Sequence, residues 1–224
     1  MEKSTAILLF AQSASKEAEA KSGLAKKTFF QHCTSAIVKK ISKVGVPYVI
    51  ITEEEQQGDT FGERFSNAIS AVYKQGFSHV VVVGNDTPHL TIDHLKKAIS
   101  ATENEELVLG RATDGGFYLL GVSQEQFVSV PFHKFSYQKR SVAKEILSIF
   151  GIKQGTQSLP YLQDIDSAED VKKVLSKSFC LAKKFLNILL SLVVKKIASF
   201  LLVLCYFGIQ LKNNFYNKGQ PVYS

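Results

Sequence analysis

This 224-residue chain has only three cysteines and three arginines, and beyond position 170 it has no acidic side chain. Its three cysteines, Cys33, Cys180 and Cys205, are odd in number, far apart and without a Cys-x-x-Cys pair. That spacing supports neither a disulfide framework nor a zinc knuckle. The five histidines (32, 79, 89, 94, 133) show no metal-ligand spacing. His89, three residues after Asp86, is expected at the surface. No Walker A sequence is present, and the N-terminal apolar run, Ala6–Ala11, is six residues, too short for a signal-peptide core. A reducing cytoplasmic setting is the resulting expectation.

The absence of acids after residue 170 explains the charge. The chain carries 27 basic and 20 acidic side chains, a formal +7. Residues 171–224 hold nine lysines and no acid, which leaves −2 for residues 1–170. The body is therefore not a basic protein, and its hydrophobic fraction of 45% suits one ordinary globular core rather than a disordered chain. We expect a domain over residues 1–175 and a basic, apolar-rich helical tail over 176–224.

Along the body, short apolar runs alternate with helical patterns. Residues 5–10, 48–52, 79–84, 107–110 and 117–122 read as strands, the first three as strands buried on both faces. Between them, residues 11–44 read as a loop and then a helix. Residues 62–75 carry Phe65, Ala68, Ile69 and Val72 at helical spacing, and residues 91–101 carry Ile92, Leu95 and Ile99. Such alternation predicts an α/β fold with a mostly parallel, doubly wound sheet. Ligands in that architecture bind beyond the carboxyl ends of the strands.

The strand ends supply the candidate chemistry. Asp86 follows the third strand, where a carboxylate can hold Mg²⁺ or Mn²⁺ or simply start a turn. Asp114-Gly115-Gly116 follows the fourth, as a base or sugar ligand or as a plain Asp-Gly hairpin. Gln57, Gly58, Gly62 and Arg64 precede a helix, where free N–H groups suit a nucleotide's phosphates, although Arg64 also suits an ion pair with Glu63. Asp164 and Asp166 stand either as ligands joining Asp86 or as part of a helix start with Ser167 and Asp170.

Four blocks occur in order: Gln57-Gly58-x-x-Phe61-Gly62-Glu63-Arg64, Gly84-Asn85-Asp86-x-Pro88-x-Leu90, Gly110-x-x-x-Asp114-Gly115-Gly116-x-Tyr118, and Leu162-x-Asp164-Ile165-Asp166-x-x-Glu169-Asp170. Together, over roughly residues 4–175, they resemble the glycosyltransferase-A-like bacterial family of arsenosugar-biosynthesis-type glycosyltransferases. More distantly, they are similar to molybdenum-cofactor guanylyltransferases. The resemblance implies a nucleotide-diphospho-sugar transferase fold, a nucleotide sugar or nucleoside triphosphate substrate, and a divalent metal (Mg²⁺ or Mn²⁺) on Asp86 and Asp166. It also implies Asp114 as the catalytic group on the acceptor side, with Gly115, Gly116 and Tyr118 beside it. Two blocks depart from the family. The loop after the first strand lacks its arginine, with Lys21 standing where the phosphate-contacting lysine would be. Tyr137-Gln138-Lys139 replaces a Trp-Ser/Thr block. A glycosyltransferase is the leading reading; a nucleotidyltransferase and a non-catalytic, membrane-associated binding module of the same fold are the alternatives.

In the tail, Lys184, Asn187, Ser191, Lys195 and Ser199 make one polar stripe on an otherwise apolar helical pattern. Ile197–Leu211 would reach roughly 22 Å, short of the ~30 Å hydrocarbon core. Extending it backward would bury Lys195 and Lys196, each costing on the order of 3 kcal/mol. Residues 183–211 therefore fit an in-plane anchor on an anionic membrane surface, at the inner face. A helix packed on the body or in a homodimer interface is the other reading. Nucleic acid fits poorly, because the lysines alternate with aliphatic runs and not with aromatic platforms.

Overall fold

The computed structural model describes residues 4–20, 27–150, 155–165 and 170. Lys21, Asp166 and the tail after residue 175 lie outside the described residues.

The first strand, β1 (Thr5–Phe10), is followed by two helices, α1 (Ala14–Ala20) and α2 (Lys27–Ser42), where one was expected. Then come β2 (Tyr48–Ile51), α3 (Phe61–Tyr73), β3 (His79–Val83), α4 (Ile92–Glu103), β4 (Leu107–Ala112) and β5 (Phe117–Ser123). After these follow α5 (Gln124–Ser129), a 3-10 turn (Phe132–Lys134), α6 (Val142–Phe150) and β6 (Thr156–Leu162). The strands form one sheet in the order β2-β1-β3-β5-β4-β6. Five strands run parallel; β5 alone is antiparallel to both neighbours. Its direction comes from the Asp114-Gly115 hairpin: a tight turn can only return the chain antiparallel, whereas parallel neighbours need a crossover.

Burial on both faces explains the apolar runs of β1 and β3. In β1, Ala6 and Leu8 enter a cluster with Phe65, Ile69 and Val72 of α3 and Ile146 of α6. Ile7 and Leu9 enter the opposite cluster, with Ile37 and Ile41 of α2 and Leu95 and Ala98 of α4. The valines of β3 alternate in the same way, Val80 and Val82 to one side, Val81 and Val83 to the other. Helices on both faces of a mostly parallel sheet are the expected doubly wound layout. Each middle strand is clamped from two sides, and its end is a rigid platform.

Two expectations are corrected. Residues 48–51 are not buried on both faces: β2 lies at one sheet edge, with Tyr48 41% and Ile50 37% exposed. Residues 156–162, not placed among the strands by the sequence, form the other edge strand, β6, parallel to β4. Pro160 is tolerated there because only one side of an edge strand must donate to a ladder. His89 is buried, 9% exposed, and not at the surface; it lies between the β3 end and the start of α4. Among the described residues, no helix is long and apolar enough to cross a membrane.

Candidate active site

A cleft of about 640 Å³ opens where β1 and β3 end and the antiparallel β5 begins. Asp86, Asp114, Gly116, Tyr118 and Arg64 line it; Gln57, Gly58, Gly62 and Gly115 do not. Among the described residues, five carboxylates (Glu17, Glu53, Asp86, Asp114, Asp164) and two cationic side chains (Lys16, Arg64) line this space. A diphosphate would meet net repulsion here unless a cation accompanied it.

Asp86 stands three residues beyond the buried valines of β3, with its Oδ1 folded back toward Gly84, which has no side chain to obstruct it. Asn85, 5% exposed, fixes the backbone beside it by donating to Thr34 Oγ1 at 3.0 Å. The late acidic block is tied to the same point. The Ile165 N–H donates to the Asp86 carbonyl at 3.1 Å, and the Thr87 hydroxyl donates to Asp164 Oδ1. Ile165 is 1% exposed and anchors the segment. Two segments nearly eighty residues apart thus deliver Asp86 and Asp164 to one cleft wall. Their oxygen donors suit a hard cation. Among the described residues, no group of three or more His, Cys, Asp or Glu side chains is arranged to hold a metal.

Asp114 is exposed at the hairpin, and its Oδ1 accepts the Gly116 N–H at 2.9 Å. Only part of the carboxylate is used, so it retains acceptor capacity toward the cleft. Tyr118 is 3% exposed and donates to the Pro160 carbonyl at 2.8 Å, bracing β5 against β6. Burial, with the Asp164 charge, pushes its phenol well above the ordinary range, so it acts as a donor and not as an anion.

The glycines of the Gln57–Arg64 block serve the chain itself. Gly58 has φ +127°, and a Cβ at Gly62 would run into the His133 carbonyl. Glu63 closes a capping box with Thr60 at the start of α3, instead of pairing with Arg64. Arg64 Nη1 donates to the Asp59 carbonyl at 3.0 Å and lines the cleft.

Several cleft residues escaped sequence reasoning. Glu53 follows the end of β2 and accepts both the N–H and the hydroxyl of Ser13, the former at 2.5 Å. This clamp holds the start of α1, whose Lys16 and Glu17 line the cleft. Gln56 Nε2 adds a bond to the Ala11 carbonyl at 3.2 Å. The rule that strand ends carry ligands was signal enough for Glu53 and Asn85. Phe61 and Tyr137 stand in the blocks quoted above, but no local signal shows that they join Phe10 and Phe117 as the aromatic side of the cleft.

Glu53 supports a pH prediction. Burial pushes its carboxyl upward, yet the Ser13 hydrogen bonds and the Lys16 charge outweigh burial and hold it below the ordinary range. A depressed carboxyl contributes stability above its unfolded pKa of about 4.3 and loses it as the pH falls through the lowered value. Hydrogen-exchange protection of residues 13–20 should therefore be constant from about pH 7 to 5 and fall at lower pH. Glu53→Gln should remove that step; a step unchanged in the variant would assign it to another group.

Among curated proteins, no relative of this chain is found. Solved structures share its fold. A crystal structure of a candidate nucleotide-diphospho-sugar transferase from Desulfovibrio desulfuricans G20 matches with a TM-score of 0.66 at 19% identity, over 79% of this chain and 88% of that one. A cytidylyltransferase from Leptospira borgpetersenii matches with a TM-score of 0.54 at 14% identity, over 100% of both chains. At such identities the likeness shows the nucleotide-diphospho-sugar transferase fold. Residues 20–138 match the model of a family described as "Uncharacterized protein conserved in bacteria", a span that includes Phe61, Asp86, Asp114, Phe117 and Tyr137 of the cleft. This chain belongs to that family, DUF2064.

Proposed function

We propose that the chain is a metal-dependent glycosyltransferase that uses a nucleotide-sugar donor. The observation that carries this reading is the tie between the Asp86 segment and the Asp164-Ile165 segment, which sets two carboxylates on the wall of a cleft at the strand ends. Asp86 would hold Mg²⁺ or Mn²⁺, with Asp166 from the same late block as its expected partner; bound there, the ion would supply charge neutralisation for a diphosphate leaving group. Arg64 and Lys16, the cationic side chains that line the cleft among the described residues, would face the phosphates. Asp114 takes the proton of the acceptor hydroxyl as its oxygen bonds to the anomeric carbon and the bond from that carbon to the diphosphate breaks. The hydrogen bond from Gly116 N–H fixes the orientation of that carboxylate and leaves its other oxygen for the proton.

Product analysis tests the reading. Incubation with Mn²⁺, labelled UDP-sugars and a mixed acceptor pool should release a nucleoside diphosphate. Release of pyrophosphate from nucleoside triphosphates instead would establish nucleotidyl transfer.

A further inference from the structure

Two non-glycine residues among those described hold a left-handed backbone: Glu105 at φ 62° and Gln138 at φ 64°. The fold accounts for the first. The Glu105 carboxylate meets His79 Nε2 at 3.2 Å, and its carbonyl accepts Gln126 Nε2 at 2.8 Å. Gln138 has no comparable return. Its side-chain amide makes no hydrogen bond with the described residues, and it faces the cleft.

The neighbours of Gln138 impose the conformation. Ser136 and Lys139 close a turn through a 3.2 Å bond from Lys139 N–H to the Ser136 carbonyl. Gln138 takes the third position of this turn, where a positive φ ordinarily selects Gly or Asn. Tyr137, just before it, is wedged against Phe61, Phe65 and Phe117 and donates its hydroxyl to the Phe132 carbonyl at 2.8 Å. The Ser136 N–H is held by Glu145 at 3.0 Å. The following residues dock on the Asp114 hairpin: Gly115 abuts the Arg140 carbonyl, and Ala143 N–H donates to Gly115 at 3.4 Å. Strain maintained by rigid surroundings, with no structural bond in return, is characteristic of a residue that serves a ligand.

We propose that Gln138 is a specificity-determining contact for a polyhydroxylated acceptor, such as a sugar or sugar-like polyol. The amide both donates and accepts, the Asp114 carboxylate accepts, and Phe117 and Tyr137 supply an apolar flank on the same cleft. That set matches a ring carrying adjacent hydroxyls on an apolar carbon face. Calling the ligand an acceptor rests on the transfer reading above; the subsite itself rests on the cleft.

Saturation-transfer NMR on the full chain with methyl glucoside and methyl mannoside, with UDP and Mn²⁺ present, tests the subsite. Wild type should bind at least one glycoside. Gln138→Gly, which satisfies the backbone, should bind about tenfold more weakly with no loss in melting temperature. Gln138→Asn, which tolerates the same φ and keeps the amide, should stay within about threefold. No glycoside binding by wild type, or equal binding by Gln138→Gly, overturns the proposal. UDP affinity in the same samples reports separately on the transfer reading. Glycoside binding without UDP binding would sink that reading and leave the subsite standing.

Discussion

Asp86→Ala should abolish the joint stabilisation by a nucleotide and Mn²⁺ and lower transfer on the order of 100- to 1,000-fold, the scale for losing one preorganised electrostatic group. The reason is positional. Five buried residues of β3 fix where the chain exits the sheet, and the buried Asn85 fixes the next turn. The Asp164 carboxylate beside Asp86 is already engaged by the Thr87 hydroxyl. The variant should remain folded, because the tie to Ile165 is accepted by the Asp86 main-chain oxygen, which alanine keeps. Calorimetric titration of wild type and variant with UDP and Mn²⁺ checks this. Equal binding by the two would show that Asp86 is no ligand, and that its place in the cleft serves only the turn.

The second large effect falls on stability. Gly115→Ala should cost about 3 kcal/mol, combining a positive φ with a backbone collision. Gly115 has φ +98°, and a Cβ there would strike the Arg140 carbonyl, an atom held in the main chain and unable to swing away. For a chain of this size that is a fall of about 6–12 °C in melting temperature. Gly116→Ala is the informative contrast. Its Cβ would stand 3.2 Å from Asp114 Oδ1, so the strain would fall on the proposed catalytic carboxylate, with a smaller cost to the fold. Thermal unfolding of the two variants should separate them clearly. Equal melting temperatures would mean that the hairpin and the 137–142 loop are not locked together as the close approach indicates.

These two glycines illustrate what was legible in the sequence. The Asp-Gly-Gly pattern announces a turn, and a turn it is. That Gly115 yields space to Arg140, and Gly62 to His133, depends on segments 25 and 71 positions away, which no local pattern encodes. Strands β1 and β3 were legible because burial on both faces demands unbroken apolar runs. The faces of α3 and α4 were legible because one-sided burial imposes helical periodicity. Strand β6 was not: it lies at the sheet edge, carries Pro160 and is mostly exposed, so it shows neither pattern. At the site, Asp86 and Asp114 followed from the strand-end rule. Glu53 obeys the same rule, yet its role became visible only when Ser13 was seen to bind it. The aromatic side of the cleft is likewise assembled from four segments, and no one of them shows that the rings meet.

The most direct test of the central claim, that this cleft binds a nucleotide through a cation, is calorimetric titration of the full chain with UDP, CDP, GDP and CTP, each with and without Mn²⁺. At least one nucleotide should bind with Mn²⁺, and its affinity should fall at least about tenfold when the metal is removed. Absence of binding by all four in the presence of Mn²⁺ would contradict it.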